Sequence, residues 1–345
     1  MLAREWWENP KYLSSDVHVG DGFDVIRAIS PNEVWMLGPE GHLARFDGLA
    51  WSRVNKPARD GCGVNGVIAR TPQDIWLVGH LGYSRYDGKQ WTSSSVTEPG
   101  VLTIHQIARA LDGTMLRIDW VKNGESEAAL QLRSFDPSTQ TWKALGPKLD
   151  AGNGRLWAAG ADNVYFISDD DTLWRFDGLA WASAPGTYWD IHGSAADNIW
   201  AVTLGGALHR WDGAAWTKLV LAPDDDTRSA YSVWTDGKGH GFVGGDGKVY
   251  EVNGTVVTVH DLPGEQMITR LAGSATNLYA GGGSTTFYTT PYGDAVEEAF
   301  GFVAHYDGSS WKVQISGADS AVSGLDVDST GRAWLQSSHG VLSHP

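Results

Sequence analysis

The stretch Asp197-Asn-Ile-Trp200-Ala-Val-Thr-Leu-Gly205-Gly206-Ala-Leu-His-Arg-Trp211-Asp212-Gly213-Ala-Ala-Trp216 sets the reading of the whole chain. Ile199 to Val202 and Ala207 to Trp211 are short runs rich in β-branched and aromatic residues. Gly205 and Gly206 between them can take the positive φ of a tight turn, so the two runs read as antiparallel strands. Asp212-Gly213 supplies a second turn, because Asp and Gly tolerate left-handed backbone, and Ala215 to Leu219 follows as the next strand. Upstream, Trp189 to His192 gives a fourth, ended by the turn residues Ala196, Asp197 and Asn198. Four strands in meander order, written again and again along a chain, make a β-propeller blade.

The turn before the outermost strand recurs as Asp47-Gly-Leu-Ala-Trp51, Asp87-Gly-Lys-Gln-Trp91, Asp136-Pro-Ser-Thr-Gln-Thr-Trp142, Asp177-Gly-Leu-Ala-Trp181, Asp212-Gly-Ala-Ala-Trp216, Asn253-Gly-Thr-Val-Val257 and Asp307-Gly-Ser-Ser-Trp311. A last unit, Val322 to His344, has candidates for the second strand around Trp334 and the third at Gly340 to Ser343, but stops before a fourth. Near the N-terminus, Arg4-Glu-Trp6-Trp7-Glu8 forms an orphan aromatic strand. Lent to the last blade, it would close the ring and remove exposed sheet edges. The expectation is a single all-β domain over 1–345, an eight-bladed propeller at about 43 residues per blade, with seven blades as the alternative.

Composition agrees. The 345 residues include 43 glycines and show no long run at helical period, which argues against an α or α/β fold. One cysteine, Cys62, rules out an internal disulfide. No stretch approaches 18 consecutive apolar residues, and residues 1–7 lack the basic-then-apolar pattern of a signal peptide. The expected location is the cytoplasm, or outside it if a leader precedes this sequence. A net charge of −15 disfavours a nucleic-acid partner, whose phosphates demand Lys and Arg. No membrane partner is expected either.

Asp74-Ile-Trp76-Leu-Val-Gly79 with Arg85-Tyr-Asp87-Gly-Lys-Gln-Trp91 resembles the bacterial β-propeller repeats of the form Asp-Ile-Trp-x-Val-Gly, then Arg-Tyr-Asp-Gly-x-x-Trp. The resemblance covers nearly the whole chain and implies architecture; repeats of this kind serve many roles. The chain departs from WD40 and kelch signatures. Its Asp-Gly-x-x-Trp turns are one residue shorter than a sialidase Asp box.

Turns such as Pro31-Asn32, Pro72-Gln73, Asp162-Asn163, Asp197-Asn198 and the Asp-Gly set are short and uniform, which marks one face of the ring as frame. Connections on the other face vary: 55–65, 120–127, around 168–171, 222–229 and 281–300. Variable loops on a rigid frame are where binding resides. They are also acidic, with Glu125, Glu127, Asp169 to Asp171, Asp224, Asp225, Asp226, Asp294, Glu297 and Glu298. Such a face suits a basic protein or peptide, or simply a solvated surface. No cofactor is expected; Ca²⁺ is the alternative, and the nearest match to a calcium loop, Asp326-x-Asp328-x-x-Gly331, reads as a plain turn.

Where the first strand enters the channel, the aligned residues Asp24, Asn65, His105, Gly154, Trp189, Tyr231, Ile268 and Ser323 do not repeat. Divergence there is what an asymmetric pocket needs. Trp189 and Tyr231 could stack on a ligand, while Asp24, Asn65 and His105 could hydrogen-bond. Of 18 tryptophans, all but Trp120, Trp157, Trp189 and Trp234 occupy repeat positions and read as core. His18, His80, His105, His192 and His260 come from different blades with no ligand spacing, and no nucleophile motif is present. The sequence therefore points to a non-enzymatic binding propeller for a protein or peptide, with a glycan-binding lectin second and a hydrolase or lyase with a histidine-containing channel third.

Overall fold

The computed structural model describes residues 25–37, 43–54, 64–124, 127–221, 229–237, 239–263, 267–289, 295–318, 322, 324–337 and 340–344. They form eight antiparallel sheets and no helix, seven sheets of four strands and one of three. The first strands of the sheets are Val25–Ser30, Val64–Thr71, Val101–Arg109, Gly154–Gly160, Tyr188–Ala195, Ala230–Thr235, Met267–Ser274 and Gly324–Val327. Each packs against the first strand of the next sheet, and the eighth packs against the first, so the sheets are eight blades around a channel. The quoted stretch forms Asn198–Thr203, Ala207–Trp211 and Trp216–Val220 of blade 5, behind Tyr188–Ala195. Blade 6, whose sequence pattern is weakest, is complete from Ala230–Thr235 to Val256–Asp261. The three-stranded sheet is the last, and the N-terminal strand Arg4 to Glu8 expected to complete it lies outside the described residues.

The repeated residues are explained by one buried unit. Trp35, Trp76, Trp200 and Trp334 of the second strands are at most 2% exposed. Their Nε1 groups donate to Glu33 (2.6 Å), Asp74 (3.0 Å), Asn198 (3.2 Å) and Asp328 (2.9 Å). The third-strand arginine of the motif lies over the same indole: Arg45 over Trp35 at 5.7 Å, Arg85 over Trp76 at 5.2 Å, Arg210 over Trp200 at 5.6 Å. In blades 1 and 2 it also pairs with the acid below, at 2.6 and 3.1 Å. An indole buried on both faces needs a partner for its N–H, and the acid so placed needs a cation.

Clusters between blades form the core. Trp35, Leu37 and Leu43 of blade 1 meet Val67, Ile75 and Leu77 of blade 2. Ile26, Val34 and Trp51 meet Trp334 and Val341 of blade 8, which seals the ring. Blade 3 has a variation that the repeat pattern does not announce. Arg117, fully buried over Trp142 at 4.8 Å, binds Glu98 and both oxygens of Asp119, and Arg133 shares Asp119 Oδ2 with it.

The Asp-Gly turns are uniform because two constraints coincide. Asp47 Oδ1 accepts the N–H groups of Leu49 and Ala50, both at 2.9 Å, while Gly48 sits at φ 93° with Asn32 against its Cα. A Cβ there would lie 2.6 Å from Asn32 Oδ1. The same stacking of the third-to-fourth turn on the first-to-second turn recurs at Gly213 and Asp197.

Two connections expected to be loops are extended hairpins instead. Met115–Asn123 pairs with Glu127–Asp136, and Asn277–Thr289 with Ala295–Tyr306, so most of 120–127 and 281–300 continues the sheet. Thr285, Thr286, Phe287, Tyr288 and Thr289 are strand formers, and a partner strand of matching length converts them to ladder.

Candidate functional site

The first strand of each blade is the edge that faces the channel. Five of these strands carry a β-bulge near the entry; in blade 7 the extra residue is Thr269, between Ile268 and Arg270, and in the other four it falls at an aligned entry position. The extra residue lies between Val64 and Gly66, between Ile104 and Gln106, between Tyr188 and Asp190, and between Ala230 and Ser232. Those residues are Asn65, His105, Trp189 and Tyr231, four of the positions where the sequence stops repeating. A bulge opposes two residues to one and re-aims the side chain of the extra residue. Divergent identity and irregular backbone therefore fall at the same places.

The bulges bring together Trp189 and Tyr231. Their rings meet edge to face with centroids 6.4 Å apart, and the guanidinium of Arg155 lies 5.8 Å from the Trp189 ring on its other side. Tyr231 Oη donates to Asp246 Oδ2 at 3.4 Å, and burial raises the phenol above its ordinary pKa. The result is a row, Arg155, Trp189, Tyr231 and Asp246, across blades 4 to 6. At 37% exposed, Trp189 is the only tryptophan in the exposed class among the described residues.

His105 stands apart from that row. Its Nε2 lies 3.0 Å from both the nitrogen and the carbonyl oxygen of Gly154 in blade 4, and its ring packs edge-on against Trp120 and Phe166. Burial lowers its pKa, and Nε2 accepts the Gly154 N–H or donates to the Gly154 carbonyl according to the tautomer. Asp24, Asp224, Asp225 and Asp226 lie outside the described residues, as does the side chain of Asn65.

A second pattern, absent from the repeat motif, joins neighbouring inner strands. Their outward N–H groups face no further strand, and side chains of the preceding blade accept them. Gln106 Oε1 takes Leu156 N–H at 2.6 Å, Asp190 Oδ2 takes Val233 N–H at 3.0 Å, His192 Nδ1 takes Thr235 N–H at 3.1 Å, and Asp326 Oδ2 takes Ala28 N–H at 2.9 Å. Edge N–H groups removed from water need such acceptors. Burial raises the pKa of Asp190 and Asp326 and lowers that of His192 to about 4.

The other three non-repeat tryptophans are packing residues. Trp120 donates to Asn153, Trp157 packs on Tyr165 and occupies the space that a Cβ on Gly193 would need, and Trp234 stacks on His192. His18 lies outside the described residues, and among those described His80, His105, His192 and His260 do not converge. His260 and His240 both bond Glu251 on the outer strands of blade 6, at 2.8 and 3.0 Å, while His80 bonds Thr103. Among the described residues no three His, Cys, Asp or Glu side chains are grouped to hold a metal.

In the 168–171 and 326–331 connections the aspartates serve turns. Asp170 Oδ1 accepts Ser168 Oγ–H at 2.6 Å and Thr172 N–H at 3.2 Å, and Asp171 stands at φ 62°. Asp328 is likewise engaged by Thr330 and Trp334, which makes 326–331 a structural turn. That turn borders a cavity of about 630 Å³ on the frame side of the channel, where His192 and Asn277 are also hydrogen-bonded to protein groups.

The class defined by this fold is an eight-bladed β-propeller. No protein-family model and no curated protein matches the sequence. Solved propellers share the fold at low identity. The computationally designed Ika8 protein gives a TM-score of 0.64 at 14% identity, over 94% of this chain and 96% of that one. Sqt1 of Saccharomyces cerevisiae gives 0.58 at 12%, over 94% and 95%. YCF48 bound to D1 peptide gives 0.55 at 15%, over 79% and 92%.

Proposed function

We propose that this chain is a non-enzymatic binding propeller, built from repeats of the bacterial Asp-Ile-Trp type, that recognises a protein or peptide partner through its variable loop face. The observation that carries the reading is Trp189. A large aromatic left exposed beside a second aromatic, on a bulged strand, is the kind of anchor on which partner binding concentrates. Two of the structural relatives support it in kind: YCF48 is seen with a peptide, and Sqt1 shares the architecture. The acidic sequence of the variable connections, Asp224 to Asp226 among them, favours a partner with basic groups.

The test is affinity capture from native lysate with wild type, Trp189→Ala, Tyr231→Ala and an Asp224/Asp225/Asp226→Asn triple variant. A protein retained by wild type and lost with Trp189→Ala, in a variant that melts normally, supports the reading. An identical set captured by all four proteins sinks it. The Trp189 and Tyr231 rings also suit a sugar, so a glycan array run on wild type and Trp189→Ala decides for the lectin alternative if it shows Trp189-dependent signal.

A further inference from the structure

The innermost strands invert the charge of the molecule. The chain has a formal net charge of −15, yet its first strands carry Arg27, Arg109, Arg155 and Arg270 against Asp190 and Asp326 among the residues whose side chains are described. Both aspartates already accept backbone N–H groups of the next blade. A concave wall of low dielectric concentrates the field of charges that face it.

A cavity of about 320 Å³ opens in this wall along blades 1 to 4. Arg27, Arg109, His105 and Gln106 supply its polar lining, Val67 and Leu156 are part of its apolar lining, and no carboxylate lines it among the described residues. Arg109 is held by Asp74 at 3.2 Å. Arg27 donates Nη1 to the carbonyl of its neighbour Ile26 at 2.8 Å, and its other N–H groups meet no described acceptor. Gln106 commits Oε1 to Leu156 N–H, which keeps its NH₂ group as a donor.

We propose that this cavity is an anion site for a carboxylate carried on a short aliphatic group, with Arg27 as the pairing cation, Gln106 as a second donor and Arg109 as background charge. A planar guanidinium fork matches the two oxygens of a carboxylate, and the apolar lining suits the attached alkyl group. The volume is at the small end of ligand sites. Such a group is either a free small acid or the C-terminus of a peptide ending in an aliphatic residue. The site stands on the channel wall alone and is independent of the partner reading at Trp189.

Calorimetric titration of the whole protein tests it with isovalerate, isovaleramide, acetyl-Gly-Val as the free acid, and the same dipeptide as its C-terminal amide. Saturable binding of an acid is expected, about tenfold or more tighter than its amide. Binding of isovalerate identifies a free acid as sufficient; binding of the dipeptide acid alone identifies a chain terminus. Arg27→Gln is expected to weaken the acid about tenfold or more, Arg27→Lys less, and Arg53→Gln, on the outermost strand of blade 1, not at all. Melting curves confirm that each variant folds, and Arg27→Lys carries the test if Arg27→Gln does not. No saturable binding of either acid, equal affinity for acid and amide, or indifference to replacement of Arg27 overturns the proposal.

Discussion

Arg45 and Glu33 form a two-pronged pair, Nη2 to Oε2 at 2.6 Å and Nε to Oε1 at 2.8 Å, and the same Oε1 accepts the indole N–H of Trp35. Three side chains separated by up to twelve positions thus satisfy one another inside a blade. Glu33 is 4% exposed, so removing it strands a buried indole N–H and deprives Arg45 of its partner. Glu33→Ala is expected to cost about 2–4 kcal/mol in urea unfolding, and Glu33→Gln, which keeps an acceptor, distinctly less.

The turn glycines separate backbone strain from crowding. Gly48 is at φ 93° and a Cβ would meet Asn32 at 2.6 Å; Gly254 is at φ 62° with nothing within 4 Å. Gly254→Ala is expected to cost about 1 kcal/mol and Gly48→Ala more, by a margin that Asn32→Gly in the same chain reduces. Denaturation midpoints of the three variants check this.

Tryptophans in frame and site respond oppositely. Trp200 is 1% exposed, and Trp200→Ala opens a cavity worth about 3–5 kcal/mol. Trp189→Ala, at a position 37% exposed, is expected to leave the unfolding free energy within about 1 kcal/mol while abolishing partner capture. A large loss of stability in Trp189→Ala would assign that ring to the core instead.

Two sets of groups fix the acid side of the stability profile. Asp47, Asp87, Asp177 and Asp212 have pKa values lowered by the two backbone N–H groups that each accepts. Their contribution is present above the unfolded value and is lost as pH falls through the lower folded values. His192 acts at higher pH. Its folded pKa of about 4 lies below the ordinary 6.5 because burial disfavours the charged ring. The unfolded chain binds that proton first, so stability falls as pH drops from about 6.5 to about 4. The loss is expected to be about 2 kcal/mol at pH 5, and His192→Gln flattens that part of the curve. Chemical denaturation at pH 7, 6 and 5 reads it directly.

Asp119 lies between Arg117 and Arg133 with no exposed surface. Burial pushes its carboxyl up while the two guanidiniums oppose the shift. Arg117→Met leaves a buried charge half paired and is expected to cost about 3–5 kcal/mol, whereas the double change Arg117→Met/Asp119→Leu recovers part of it. A double-mutant cycle measures the coupling.

What the sequence by itself determined is the blade. Asp-Ile-Trp, Arg-Tyr and Asp-Gly-x-x-Trp are local statements, each satisfied within one hairpin or one turn, and their repetition counts the blades and assigns most tryptophans to the core. Divergence at Asn65, His105, Trp189 and Tyr231 was also visible, because a repeat makes a departure stand out. Only the tertiary structure decided what those departures do: a bulge is a property of two paired strands, so it alone placed Trp189 on Tyr231 and His105 on Gly154. The stitching of Leu156, Val233, Thr235 and Ala28 N–H groups by Gln106, Asp190, His192 and Asp326 was likewise hidden, since donor and acceptor belong to neighbouring blades about forty or more residues apart. Arg27 and Arg109 stand singly and far apart along an acidic chain, and only closing the ring brings them to one cavity. Short-range chemistry is written in order along the chain, whereas a site assembled from eight inner edges exists only once those edges meet.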